Sequence, residues 1–385
     1  MRYITEPIRE IICSIAQDIH CHPELSEQEV RTTRLLKNQL SNMNIEIVDI
    51  LPGTGVIGLI RGAHSGKTVA LRADIDALPV QEDPSHKNCS KNDGIMHACG
   101  HDIHTASLLG AACVLQTLRP TLHGNILLIF QPAEETSTGA RAILESGVFD
   151  RIKPDAFFSL HIMPGLPTGK LGIREGAIMA AQKGFQITVS GKGGHGSSPH
   201  NTCDPLIAAA KIVDALQSIS AREYDPVSPF VLSVCSFQSG NAFNIIPDTA
   251  VLTGTSRFLD NGRSHWIEER VCQIATKTAE IHSCHATTEF FRRLPALDNA
   301  ASLLPTAQAA GCAVFGHKNL LSQNMMMASE DFSLYAQVAP IFMYHVGVSC
   351  SYPLHSRHLY VPESTAVQCA ELLTQTALTF LENRQ

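Results

Sequence analysis

The sequence predicts an α/β protein: a large mixed sheet with helices on both faces, interrupted by a smaller α+β domain of ferredoxin-like order. Three observations carry this. Short continuous apolar runs alternate with helical stretches in the first half of the chain, as expected for strands buried on both faces. From about residue 183 the order becomes β-α-β-β-α-β, the split βαβ arrangement. After residue 293 the first texture returns, with a helix, a strand and a last helix. A chain of 385 residues with 44% hydrophobic content is long enough for two domains of ordinary size. The expected boundaries are 1–182 plus 294–385 for the larger domain and 183–293 for the inserted one.

The elements follow in order. Ile8, Ile11, Ile12, Ile15 and Ile19 recur at helical spacing. "SEQE" opens a second helix, with Ser26 and Glu29 read as a capping box. "GVIGLI" (55–60), "TVALRAD" (68–74), "NILLIFQ" (125–131) and "DAFFSLH" (155–161) read as buried strands, and "TASLLGAACVLQTL" as a helix between them. In the insert, "KGFQITVSG" is a strand. "CDPLIAAAKIVDALQSI" is a helix with Asp204 as N-cap and Pro205 in the first turn. "PFVLSVCSF" and "DTAVLTGTSRFL" are strands. "SHWIEERVCQIATKTAEIHS" is a helix with Ile267, Val271, Ile274 and Ile281 on one face and Thr278 completing the stripe. "CHATTEFFRR" closes the insert. "IFMYHVGV" and a helix over roughly 363–382 complete the larger domain.

Composition narrows the function classes. Net charge is −7 and no long basic block or basic-aromatic interleaving occurs, which argues against nucleic-acid binding. No signal-peptide apolar region and no membrane-length run is present. The twelve cysteines have scattered spacings and read as reduced thiols of a cytoplasmic protein, mostly core fillers. No internal repeat appears.

Open α/β sheets bind ligands beyond the carboxyl ends of their strands. Asp74 ends one predicted strand and Asp76 follows it; Glu134 and Glu135 follow the next; His161 ends another; His355 follows the last. In "MHACGHDIHTASLLG", residues 97 to 104 hold three histidines, one cysteine and one aspartate. Cys99 and His101 cannot share a helix face at i, i+2, but alternate side chains of an extended segment point the same way. Gly100 lets the backbone curl between them. A thiolate with an imidazole suits zinc or another late first-row divalent ion. An isolated C-x-H is more often just a buried cysteine, so the convergence at one sheet edge is the stronger signal. In "PAEE" adjacent side chains diverge, which favours one ligand and one free carboxylate able to take a proton from an activated water. "HCHPE" (20–24) imitates a ligand cluster, yet a helix end before proline suits histidines bonded to terminal carbonyls. "GKGGHGSSPH" (191–200) lacks Walker spacing, and its glycines present His195 on a tight loop.

Taken in order, "MHACGHD", "PAEE", "SLHIMPGLPTG", "GKGGHGSSPH", "NIIPDTAVLTGTSRF" and "ASEDFS…PLHS" span nearly the whole chain. Together they resemble the M20 family of metallopeptidases, in its amidohydrolase branch of hippurate hydrolases, N-acyl-amino-acid deacylases and auxin-conjugate hydrolases. The resemblance implies two divalent metal ions (zinc, manganese, cobalt or nickel) held by Cys99, His101, Glu135, His161 and His355, with Glu134 as general base. It leaves open which ligand bridges. The H-x-D of classical members reads Arg72-Ala73-Asp74 here, so one histidine ligand is replaced, as in the amidohydrolase branch.

The resemblance further implies that His195 reaches a partner subunit's active site in a homodimer, and that Asn244 and Arg257 bind the substrate's carbonyl or carboxylate. Ile103 stands where the branch often has a small residue, and is expected to add bulk beside the site. Asp74 or Asp76 orients a ligand histidine or simply ends a strand; Glu330 and Asp331 are candidates for the same supporting role, which the sequence alone does not decide. The implied activity is hydrolysis of the amide bond of an N-acyl amino acid or related conjugate. A dipeptidase or carboxypeptidase and a non-catalytic metal-binding protein are the alternatives.

Overall fold

The computed structural model describes residues 3–48, 51, 53–322 and 324–382. It forms two compact units, one from the chain up to Gly176 with Asp298–Asn324 and Asp331 onward, the other from Ala177–Leu297 with Met325–Glu330.

The first unit is built on an eight-stranded mixed sheet. Its order is Glu46–Ile47, Val56–Arg61, His123–Gln131, His64–Asp74, Ala156–Pro164, Ile341–Val348, Leu171–Ile173, Leu320–Ser322. The central strands run parallel, and their continuous apolar character follows from burial on both sides. On one side Leu71, Leu128 and Phe158 join a core with Ile12, Leu108, Leu115, Leu373 and Phe380 of helices Glu6–Cys21, His101–Leu118 and Ser364–Glu382. On the other, Phe157 stacks on Tyr335 at 4.9 Å and meets Phe149 edge-on at 5.3 Å. The helix Glu6–Cys21 buries Ile12, Ile15, Ala16 and Ile19, spaced i, i+3, i+4, i+7; Ile11 falls off that stripe and is exposed. The two three-residue strands at the sheet edge are too short to leave a periodic signal in sequence.

"SEQE" does not form a capping box. The helix spans Val30–Asn42 with no side-chain cap from its own N-cap residue, Glu29. Its first amides are satisfied from upstream, where Glu24 accepts from the Arg31 and Thr32 amides, each at 2.8 Å. This releases Ser26 and Glu29 for other contacts, described below.

In the second unit the four strands are ordered Phe230–Ser239, Thr249–Phe258, Ala181–Ser190, His285–Leu294, every neighbour antiparallel. Phe185, Ile187, Val189 and Leu252 pack against Ile212, Leu216 and Val271 of the helices Pro205–Ser218 and Ser264–Ile281. Asp204 caps its helix by accepting from the Leu206 amide at 2.9 Å. In the second helix the buried stripe runs through Ile267, Val271, Ile274, Ala275 and Ala279; Ile281, at its last residue, is exposed. Among the described residues no helix is long and apolar enough to cross a membrane.

Candidate active site

The corner at residues 97–104 is shaped by Gly100. Its φ is +80°, and a Cβ there would sit 2.5 Å from Cγ1 of Ile162, so only glycine fits. The helix starts at His101 directly after this left-handed residue. Cys99 and His101 therefore flank a reversal and turn toward the same space. The Cys99 Sγ lies 3.5 Å from Nε2 of His161. Donor atoms of Cys99, His101 and His161 lie within 4.8 Å of one another, as do those of Cys99, Glu135 and His355, and those of His101, Glu134 and Glu135. His355 comes from a loop; its amide donates to the Ala98 carbonyl at 2.7 Å, and Nε2 lies 3.5 Å from Glu135 Oε1.

Hydrogen bonds set which imidazole nitrogen faces this space. His101 Nδ1 donates to the Asp76 backbone carbonyl at 2.9 Å, with the Asp76 carboxylate at 3.2 Å. His161 Nδ1 donates to the Ile162 carbonyl at 2.6 Å. Both Nε2 atoms are thereby turned toward this space, and His101 Nε2 has no hydrogen-bond partner among the described residues although buried. Asp76 also accepts from the Glu135 amide at 3.1 Å and from Ser26 Oγ at 2.7 Å, so one carboxylate orients two candidate ligands. Asp74 serves a different histidine: His104 donates to it from Nδ1 at 2.6 Å and accepts at Nε2 from the Ile162 amide at 2.9 Å.

The electrostatics ask for positive charge. Burial opposes a charged His101, but the neighbouring Asp74, Cys99 and Asp76 outweigh it and hold its pKa well above the usual range. Burial likewise pushes the Cys99 thiol up. The Cys99 sulfur and the Glu135 carboxylate beside it raise His355 to about 10. Arg72, fully buried in the strand below, is already committed: it donates to Asp74 at 2.7 Å, Asp331 at 2.9 Å and Gln131 at 3.0 Å. It fills the place of the missing histidine ligand with a structural cation.

In the second unit His195 and Asn244 come together. His195 pairs with Ile245 in a two-stranded ribbon, and the Gly196 amide donates to the Asn244 carbonyl at 2.8 Å. Both side chains are exposed. The Ser197 amide donates to His195 Nδ1 at 3.1 Å; an amide only donates, so the ring proton sits on Nε2. Arg257 is half-buried opposite Gln182 and donates to Ser329 Oγ at 2.8 Å.

Residues 70–379 match the family described as peptidase family M20/M25/M40. The chain belongs to this family. Among its M20 relatives is an N-acetylcysteine deacetylase of Bacillus subtilis, 37% identical over 96% of this chain and 97% of the relative. Another is a hippurate hydrolase of Campylobacter jejuni, 36% identical over 94% and 93%. A solved structure of a dinuclear metal binding peptidase from the M20 family of Bacillus subtilis superposes with a TM-score of 0.87, at 34% identity over 98% of this chain and 99% of that one. This M20 chain falls in the amidohydrolase branch and is a metal-dependent amidohydrolase acting on linear amides. The solved relative supports two divalent ions. The donor set fits them: one thiol, three imidazoles and a carboxylate, with a buried Nε2 of His101 and a buried Oε1 of Glu135 lacking hydrogen-bond partners.

Two expectations are corrected. His20 does not bind a helix carbonyl. Its Nδ1 meets Asp102 at 2.8 Å and its Nε2 meets Glu82 at 3.0 Å; His22 alone takes the carbonyl, that of Asp18, at 2.8 Å. Ile103 adds no bulk at the site, because it is fully buried in the large apolar core. Asp331 holds Arg72, Gln131 and the Ala140 amide. His104 and Glu29 were missed. His104 sits at i+3 from His101, a spacing that places both on one helix side. Glu29 had no signal beyond a local motif that pointed elsewhere.

Proposed function

We propose that this enzyme hydrolyses the amide bond of N-acyl amino acids or related conjugates, with Glu134 as general base. The observation that carries the reading is the juxtaposition of Glu134 with His101 and Glu135 in one cluster: a carboxylate beside the ligand set, on the residue adjacent to a ligand. The names of the relatives, N-acetylcysteine deacetylase and hippurate hydrolase, support the substrate class.

Cys99, His101, Glu135, His161 and His355 would hold the two ions, and this thiolate, imidazole and carboxylate set admits zinc, manganese, cobalt or nickel. Bound there, the ions supply Lewis acidity and lower the pKa of a water toward neutrality. Glu134 would take a proton from the attacking water as its oxygen adds to the acyl carbon, and would pass that proton to the amine nitrogen as the C–N bond breaks. His195, protonated on Nε2, donates to the developing oxyanion. Asn244 assists at the carbonyl, and Arg257 binds the free carboxylate with its forked donors.

We place His195 in the partner subunit's reaction, in a homodimer formed through residues 183–293 acting as lid and dimerisation domain. A deletion of 183–293 that remained dimeric in sedimentation would remove that assignment. Twelve free cysteines among the described residues support a reducing compartment, hence the cytoplasm.

The test is amine release from N-acetyl, hippuryl and dipeptide substrates after chelation and separate return of each metal. Release from acyl amino acids alone supports the deacylase. Release from dipeptides moves the protein to the peptidase reading, which the solved relative's description favours. No release from any substrate, with two ions bound to folded protein, would favour a metal-binding role without turnover.

A further inference from the structure

The turn that delivers Glu134 is built around Ala133. Its φ is +52°, the left-handed region that costs an L-residue about 1–2 kcal/mol. Ala133 is 2% exposed, so solvent cannot hold it there. Its carbonyl accepts from the Thr138 and Gly139 amides at 3.2 and 3.1 Å. Gly139 is pressed so close that a Cβ would lie 1.6 Å from the Pro132 carbonyl oxygen. The amide of Ala133 points the other way and donates to Oε1 of Glu29 at 2.8 Å.

Glu29 is well placed for this. It is fully buried at the start of the helix Val30–Asn42. Thr54 Oγ1 donates to its other oxygen at 2.6 Å, and Thr33, which donates its amide to the Glu29 carbonyl at 2.9 Å, accepts from the Gly55 amide at 2.7 Å. The carboxylate thus has a fixed position, anchored at one oxygen and free to accept at the other. The same short segment also supplies Ser26 to Asp76, which takes the Glu135 amide. Two hydrogen-bonded arms from residues 26–29 reach the backbone on either side of Glu134.

We propose that Glu29 is a positioning residue for the general base: its carboxylate locks Ala133 in the left-handed conformation that aims Glu134. The proposal rests on the assignment of Glu134. No negative charge is needed for this role, only an acceptor at the right reach. A glutamine provides one, whereas an aspartate is one methylene short and an alanine leaves a buried amide unpaired.

The test measures kcat, KM and bound metal for Glu29→Gln, Glu29→Ala and Glu29→Asp, with amide exchange across residues 129–139 followed in the metal-free protein. Glu29→Gln is expected within about threefold of wild type. Glu29→Ala and Glu29→Asp are expected to lower kcat on the order of 10- to 100-fold, as a misplacement of about 1 Å does. KM and metal content stay unchanged, and exchange at Ala133 accelerates. Ala133→Gly, which adopts positive φ freely, should restore part of kcat in the Glu29→Asp background. Wild-type kcat in Glu29→Asp, unaltered exchange, or a parallel loss of metal overturns the proposal. Should Glu29→Ala fail to fold, Glu29→Asp and Glu29→Gln decide. Glu134→Gln separates the two ideas: wild-type turnover there removes the base assignment, while the exchange readout still reports whether Glu29 holds the turn.

Discussion

The corner at 97–104 and the ribbon carrying His195 and Asn244 are assembled in opposite ways. In the first, every candidate ligand except His355 and Glu135 is buried, and the carboxylate-bearing residues that orient its imidazoles come from another part of the chain, Asp76 for His101 and Asp74 for His104, while His161 is fixed by the carbonyl of the adjacent Ile162. In the second, His195 and Asn244 are exposed and held by neighbours within the same ribbon and loop. A metal pocket must hold unsatisfied donors in place against a large desolvation cost, which takes buried, mutually fixed partners. A donor that meets charge only during reaction, the role proposed for His195, needs a set tautomer and an open approach.

The largest effect that would break this contrast comes from the pocket. His101→Ala should abolish activity with loss of bound metal by elemental analysis; full metal content would show that the pocket does not depend on this residue. Glu134→Gln should keep both ions yet lower kcat by about 10²–10⁴-fold. His195→Ala should cost about 10²–10³-fold in kcat with metal content unchanged, as for a single oxyanion donor; a loss of metal would erase the division between the two regions. Asp76→Ala removes only an orienting bond, and should weaken metal affinity about 10- to 100-fold in a chelator titration.

The smallest effect concerns stability behind the corner. Burial alone would lower the pKa of His20, but hydrogen bonds and charge from Asp102 and Glu82 raise it from 6.5 to about 11. His86 shares Glu82 at 2.9 Å, and the neighbouring His97 is neutral, burial holding it near 4. A folded-state pKa above the unfolded one means stabilisation that is complete below about pH 6.5 and lost as pH rises toward about 11. The melting-temperature gap between wild type and His20→Gln should therefore narrow steadily from pH 6 to pH 10. A gap that widens would reverse the sign of the coupling.

Much of the pocket could be read before any coordinates. The apolar strands announced where their carboxyl ends lie, and polar residues past those ends were the ones gathered together. Cys99, Gly100 and His101 could be interpreted as a unit because alternation and glycine conformation are local properties. Asp204 was readable for the same reason, since its partners are two and three residues away. "SEQE" misled because Ser26 and Glu29 satisfy a local pattern while bonding residues 50 and 104 positions away. His20 misled likewise: a helix end offered it carbonyls, and two buried carboxylates from elsewhere were better partners.

The sequence by itself therefore determined the fold class and most of the order of strands and helices, because periodicity and capping act over a few residues; the candidate ligand set was legible through the resemblance to the M20 family. Only the tertiary structure decided which carboxylate serves which imidazole, that Arg72 is a buried structural cation, and that Glu29 reaches the turn before Glu134. Those assignments depend on which buried polar groups meet across the fold, and each must find a partner because leaving one unpaired costs about 1–3 kcal/mol.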